Sequence, residues 1–206
     1  MAFWSAENAT NAYLRAIKMG KREKEPDTAE FISALAAGTN ARSMVVACAN
    51  AADSTTLALV AAAHQTGGKV ICILTNANEI QSSKEILGDE NALKVKFVIG
   101  DAQSLLKSEY KEADFIAVDC SLKNCEEILT KSVGKNSMVL GYNAFLMGSW
   151  RSRGCDLHLL PIGEGLLVSR AATSAKNDEN RLGKGSRWVV KVDKCTGEEH
   201  VFRVRN

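Results

Sequence analysis

Short apolar runs alternate with longer amphipathic segments from residue 43 to residue 142 of this 206-residue chain. The apolar runs are continuous rather than alternating, which is typical of parallel strands covered on both faces. Because strand and helix alternate regularly, the pattern predicts a doubly wound, mostly parallel, Rossmann-like α/β sheet. The predicted strands cover residues 43–49, 69–75, 94–100, 113–120 and 136–142.

Capping residues and glycines mark the ends of the predicted helices. Ser5 and Asp27 precede the first two helices as N-caps, and Gly20 and Gly38 follow them as stops. A third helix opens at Ser54 and is closed by Gly67 and Gly68. A charged linker is predicted between the first two helices. The helices are predicted over residues 5–20, 27–38, 54–68, 78–88, 102–110 and 123–134.

The C-terminal part of the chain follows a different pattern. Residues 156–162 and 165–171 flank a Gly-Glu-Gly turn and predict a tight hairpin. A polar, flexible loop follows, and residues 187–206 predict a second hairpin, the C-terminal β-hairpin extension. We expect one domain over residues 1–206. Its parts are an N-terminal helix and linker at 1–25, a core at 26–170, and a loop and hairpin at 171–206.

Composition and charge limit the classes of partner and the cellular compartment that can be expected. The chain is 46% hydrophobic and 24% charged with a net charge of +2, values that give no general attraction to nucleic acid or to an anionic membrane. No apolar run approaches the ~20 residues of a membrane span, and the first residues do not form a secretory signal. The six cysteines include no C-x-x-C pair, so reduced thiols in the cytoplasm, or alternatively the nucleus, are expected.

Several blocks of the sequence resemble one family in order and spacing. TAEFISALAAGTNARSMVVACANAADSTTLAL, GGKVICILTN, KVKFVIGDA and ADFIAVDCSLKN are followed by NSMVLGYNAFLMGSW and LHLLPIGEGLLVSRA. Together they resemble class I S-adenosylmethionine-dependent methyltransferases, and among them the caffeoyl-CoA O-methyltransferase type. The whole chain also resembles a plant methyltransferase-like family of unknown function. The resemblance implies S-adenosylmethionine as the cofactor and a small molecule as the methyl acceptor.

The cofactor site implied by this resemblance departs from the family pattern. An acidic residue is replaced by Val46, glycines by Cys48 and Ala52, and the acid that bonds the ribose hydroxyls by Leu74. Losing two hydrogen bonds to a charged group costs on the order of 3–5 kcal/mol, so we predict weak cofactor binding, with a Kd above ~100 μM. The expected cofactor-binding residues are Cys48, Asn50, Ser54, Asn76, Asp101 and Asp119.

The metal site that the family carries is incomplete in this sequence. Asp119 and Asn143 match two of the implied ligands, whereas Tyr142 stands where a carboxylate is implied. A phenol is a poor ligand for a hard cation near neutral pH, so we predict no tightly bound divalent metal. Asp119 and Asn143 are instead assigned the catalytic task of orienting the methyl acceptor.

In the implied topology the first and fourth strands are neighbours, which gathers polar and thiol side chains at one cleft. Either the cleft is a small-molecule pocket of altered chemistry, or its own side chains fill it. Cys48 and Cys120 could form a nucleophile or redox pair, although small buried residues are the favoured interpretation. The side chains expected around the cleft are Cys48, Asn50, Asp53, Ser54, Asp101, Asp119, Cys120, Tyr142 and Asn143.

Two functions therefore remain open from sequence. One is methyl transfer from S-adenosylmethionine to an unknown small molecule. The other is non-catalytic binding of a ligand or partner by a methyltransferase-derived protein with a degenerate cofactor site. We expect a small-molecule ligand in the cleft and no membrane or nucleic-acid partner. Tyr13, Leu14 and Ile17 share one face of the first helix, which either packs on the domain or docks on a second subunit in a homodimer.

Overall fold

The computed structural model describes residues 4–20, 27–132, 137–147 and 157–169, together with the backbone of two strands at 186–192 and 199–205. The predicted charged linker (21–26) and all but the last residue of the predicted polar loop (171–186) lie outside the described residues. The chain divides into two compact units, Met1–Ala172 and Thr173–Asn206.

The first unit holds the predicted alternation of helices and strands. Its strands are β1 (Ser43–Ala47), β2 (Lys69–Leu74), β3 (Val95–Ile99), β4 (Phe115–Asp119), β5 (Met138–Tyr142), β6 (Leu157–Leu160) and β7 (Leu166–Ser169). Its helices are α1 (Ala6–Met19), α2 (Thr28–Gly38), α3 (Ser54–Thr66), α4 (Glu79–Leu87), α5 (Asp89–Ala92), α6 (Ala102–Lys107) and α7 (Cys125–Ser132), with a 3₁₀ helix at Ala144–Met147. The short α5 was not predicted from the sequence.

These strands form one sheet in the order β3-β2-β1-β4-β5-β7-β6. Strands β1 to β5 pair in parallel, β7 joins β5 antiparallel, and β6 pairs with β7 as the predicted hairpin. The fold prediction is thereby confirmed. The strand order reverses between β1 and β4, and in an open α/β sheet this is where the carboxyl edge opens a cleft.

Both faces of the central strands β1, β2, β4 and β5 are buried, which explains their continuous apolar runs. Met44 and Val46 of β1 belong to an apolar cluster that includes side chains of α2 and α3, whereas Val45 and Ala47 belong to a cluster that includes side chains of α6 and α7. Successive strand residues point to opposite faces, so every position of a central strand has to be apolar.

The predicted caps of the first helices are present, with one difference at α2. Asp27 and Glu30 form a reciprocal capping box at its start. Gly38 is the last helical residue, but the left-handed conformation falls on Asn40, with φ 55°. Gly38 is needed for space instead, because a Cβ there would lie 2.3 Å from the Trp4 ring.

The second unit contains the C-terminal hairpin. Strands β8 (Ser186–Val192) and β9 (Glu199–Arg205) pair antiparallel over their whole length. The turn between them lies outside the described residues.

Candidate functional site

The inner wall of the cleft is apolar and closed. Five positions at which the family resemblance implies cofactor or metal contacts belong to one apolar cluster, and each is at most 2% exposed. We call these residues the inner wall. They are Val46, Cys48, Ala52, Leu74 and Tyr142.

Cys48 and Tyr142 contact each other inside this wall. The Tyr142 hydroxyl donates to Cys48 Sγ at 3.7 Å, and Cys72 Sγ lies 3.7 Å from the same sulfur. Burial raises the pKa of the Tyr142 phenol well above its usual range. The structure thus places Cys48, an expected cofactor contact, in the core beneath the cleft.

The loop between β1 and α3 is fixed by the protein's own groups. The Ala52 backbone N–H donates to Ser83 Oγ at 2.8 Å, and this hydroxyl donates onward to the Glu79 carbonyl at 2.6 Å. An amide that could face a ligand in a glycine-rich loop is therefore used to attach the loop to α4. Nothing in the sequence indicated Ser83, because a serine within an amphipathic helix reads as a surface residue.

Asp53 follows this loop as the N-cap of α3. Its carboxylate accepts hydrogen bonds from the backbone N–H groups of Thr55 at 2.9 Å and Thr56 at 3.4 Å. Burial nevertheless raises the pKa of Asp53 to about 6, and the negative charge of Asp119 adds to the effect. The group therefore titrates between pH 5 and 7.

Asp119 joins the ends of three strands. Its carboxylate accepts hydrogen bonds from the Ser121 N–H at 2.9 Å, the Ala49 N–H at 3.3 Å and the Asn143 side-chain amide at 3.0 Å. Asn143 has a φ of 58°, a conformation that asparagine tolerates better than most residues. The two residues assigned to the acceptor from the sequence are thus brought together.

The outer rim of the cleft is polar and exposed. We use this name for Asn50, Ser54, Asn76 and Asp101, all of which are exposed. Asp101 caps α6 by accepting from the Ser104 hydroxyl and N–H, each at 2.8 Å, and these bonds lower its pKa. Asn76 Oδ1 accepts from the Asn78 N–H at 3.1 Å. Each rim residue lies at the carboxyl edge of the sheet.

Cys48 and Cys120 are both buried, in agreement with the favoured interpretation, and each lies beside another thiol rather than beside the other. Cys48 lies beside Cys72, whereas Cys120 hydrogen-bonds Cys125, and this bond lowers the pKa of Cys125. All four thiols are free and buried. Gly141 leaves room for Cys120, because a Cβ there would lie 2.8 Å from Cys120 Sγ.

In the part of the chain that the structure describes, no group of three or more His, Cys, Asp or Glu side chains is arranged to hold a metal ion. Among the same residues, no helix has the length and hydropathy needed to cross a membrane.

The solved structures that resemble this chain include methyltransferases. A methyltransferase from Geobacter sulfurreducens is 18% identical over 80% of this chain and 89% of its own, with a TM-score of 0.54. A putative caffeoyl-CoA O-methyltransferase from Staphylococcus aureus is 17% identical over 80% and 92%, with a TM-score of 0.54. The O-methyltransferase TomG from Streptomyces achromogenes, determined in complex with S-adenosylmethionine, is 14% identical over 83% and 92%, with a TM-score of 0.55.

These likenesses show the fold, that of class I S-adenosylmethionine-dependent methyltransferases, and confirm the resemblance noted from the sequence. A comparison with curated proteins gave no significant match. Residues 1–204 match the family described as "Protein of unknown function (DUF1442)". Because the match spans nearly the whole chain, the protein belongs to this family.

Proposed function

We propose that the cleft at the carboxyl edge binds S-adenosylmethionine weakly and that the protein is a methyltransferase-like protein acting on a small molecule. The observation that carries the proposal is the Asp119–Asn143 hydrogen bond of 3.0 Å, which lies next to the reversal of strand order between β1 and β4. Ligands of open α/β sheets bind at that reversal.

The residues present fit this cofactor in part. The outer rim offers exposed amide, hydroxyl and carboxylate groups, of which Ser54 and Asp101 would hold the cofactor and Asn76 would reach toward the ribose. The inner wall offers no polar group at Leu74, which is fully buried. The Ala52 amide is already hydrogen-bonded to Ser83. When bound, the cofactor would supply an electrophilic methyl group. Asp119 and Asn143 would orient the acceptor beside it.

Calorimetric titration of the full chain with S-adenosylmethionine and S-adenosylhomocysteine tests the proposal. We expect a Kd above ~100 μM, because Leu74 leaves the ribose hydroxyls without an acid. Replacing Asp101 by Asn should weaken binding further, whereas Glu109→Asn on the surface should not. No heat and no chemical-shift change at millimolar cofactor would reject the proposal.

The buried inner wall favours a second candidate. A protein whose cofactor wall is filled by its own side chains is suited to non-catalytic binding of another ligand or of a partner. One measurement distinguishes the two candidate functions. Methyl transfer predicts S-adenosylhomocysteine formation when the protein is incubated with labelled S-adenosylmethionine and a library of small acceptors, and the non-catalytic candidate predicts none.

A further inference from the structure

A cavity of about 430 Å³ lies between α1, α2, α3 and α4. This volume falls within the usual range of small-molecule sites, roughly 300–1,000 Å³. Its apolar wall includes Met19, Leu57 and Leu87. Ser54 of the outer rim lies at one side of it, and the inner-wall residues are not among its described lining.

The polar side of this cavity is acidic. Asp27, Glu30 and Glu85 line it, and its described lining includes no lysine, arginine or histidine. The ion pairs found among the described residues, Lys94–Glu90 and Lys131–Glu127, involve none of these three carboxylates. The described lining therefore places three carboxylates beside an apolar surface.

Glu30 is the buried member of this group, with 9% of its surface exposed. One oxygen, Oε2, accepts the Asp27 N–H at 2.7 Å and completes the capping box of α2. The other oxygen, Oε1, lies toward Gly20, and within the described residues no hydrogen bond reaches it. This oxygen is not one of the fully buried polar atoms that lack a partner, so a donor that enters the cavity can reach it.

We propose that this cavity binds a small organic cation, a primary ammonium group on an apolar body. The ammonium donates to Glu30 Oε1, and the body lies against Met19, Leu57 and Leu87. A bare metal ion fits less well, because the described residues hold no three-ligand group and the walls are largely apolar. An anion would be repelled by three carboxylates. The proposal needs neither S-adenosylmethionine nor turnover, so it stands apart from the proposed function.

Three ligands of nearly equal shape distinguish the contribution of charge to affinity from the contribution of apolar contact. Tryptamine is the cation, tryptophol its neutral counterpart and indole-3-propionate its anionic counterpart. In calorimetric titrations of the full chain near pH 7, we expect tryptamine to bind at least tenfold more tightly than either of the others. Equal affinities would mean that the cavity selects only for apolar surface, and would overturn the proposal, as would the absence of tryptamine binding.

Glu30→Gln is the matched variant. A glutamine side chain also completes a capping box, so the fold and the melting temperature should be retained while the charge is removed. We expect a loss of tryptamine affinity of about tenfold or more, with tryptophol binding unchanged. Glu85→Gln, at an exposed position, should cost less, about two- to fivefold.

Glu109→Gln serves as the control, because this exposed carboxylate is not part of the described lining. It should leave tryptamine affinity unchanged. If Glu30→Gln is folded and binds tryptamine as the wild type does, the cavity is not the site and the proposal is wrong. Cross-peaks of Leu57 and Leu87 methyl groups that shift with tryptamine would locate the ligand independently of affinity.

Discussion

The inner wall and the outer rim lie at the same edge of the sheet, yet they have opposite character. Inner-wall residues are at most 2% exposed and contact one another, as Tyr142 and Cys48 do. Rim residues are exposed, and the Asp101 carboxylate accepts hydrogen bonds from Ser104 and from the more distant Asn124. The wall is therefore part of the folding core, whereas the rim is free to meet a ligand.

This difference separates the positions that depart from the family pattern from the polar positions that remain exposed. The departures from the family pattern are not scattered, because all five belong to the same buried apolar cluster. They are Val46, Cys48, Ala52, Leu74 and Tyr142. Changing one of them toward the family residue would disturb the packing of the others, whereas changing the rim would not. The following predictions test this contrast.

The largest effect is expected at Leu74. Replacing this fully buried side chain by Asp places an uncompensated carboxylate in the apolar cluster and should lower the free energy of unfolding by ~3–5 kcal/mol. Leu74→Met keeps the volume and should cost less than ~1.5 kcal/mol. Urea denaturation measures both. Near-wild-type stability of Leu74→Asp would mean that the wall is open to water.

Asp119 belongs to neither the inner wall nor the outer rim, and its substitution should give the next largest loss of stability. Asp119→Ala removes the acceptor of two backbone N–H groups and of the Asn143 amide, which should cost about 3 kcal/mol. Asp119→Asn keeps an oxygen at the site and should cost about half as much. Urea denaturation of the two variants compares them. Equal losses would show that the negative charge and the second acceptor oxygen, both of which asparagine lacks, carry the stabilisation.

Asp53 makes stability depend on pH. Its pKa in the folded protein is raised from 3.8 to about 6, so the folded state binds a proton more tightly than the unfolded chain. The stability from this proton is fully present below pH 4 and is lost as pH rises through 6. The loss is about 2–3 kcal/mol.

Asp53→Asn isolates this contribution, because asparagine also caps helices. The difference in unfolding free energy between wild type and variant should change in favour of the variant between pH 4 and 7. The measurement is urea denaturation at several pH values. A difference that stays constant with pH would show that Asp53 does not titrate in this range.

The smallest effects are expected at the outer rim. Asn50→Ala and Ser54→Ala should change the free energy of unfolding by less than ~0.5 kcal/mol, as is usual for exposed positions. If the rim holds the cofactor, each should weaken S-adenosylmethionine binding by roughly two- to tenfold. A large loss of stability from either substitution would contradict the prediction that the rim, unlike the wall, contributes little to folding.

Local signals predicted most of the fold. The caps at Ser5, Asp27 and Gly67 and the boundaries of α3 depend on groups within one helical turn, so the sequence reveals them directly. Gly38 shows the limit of such signals. A glycine near a helix end indicates a stop, but the contact that requires it comes from Trp4, which is distant in sequence.

The candidate site could be predicted in part. The pairing of Asp119 with Asn143 followed from adjacent strand ends in a known strand order. The hydrogen bond between Ala52 and Ser83 could not be predicted, because it depends on the position of α4 relative to the loop. The contact between Cys48 and Cys72 could not be predicted either, because it depends on which face of β2 carries Cys72. Contacts between residues that are distant in sequence therefore decide whether a polar group at the cleft is free or already hydrogen-bonded.

The sequence by itself determined the order of strands and helices, because burial on both faces demands continuous apolar runs and capping is local. It also determined which family positions are changed. Only the tertiary structure decided what those changes do together. Parallel strands align residues that are far apart in the chain, and their register turned five separate substitutions into one buried wall while leaving the rim exposed.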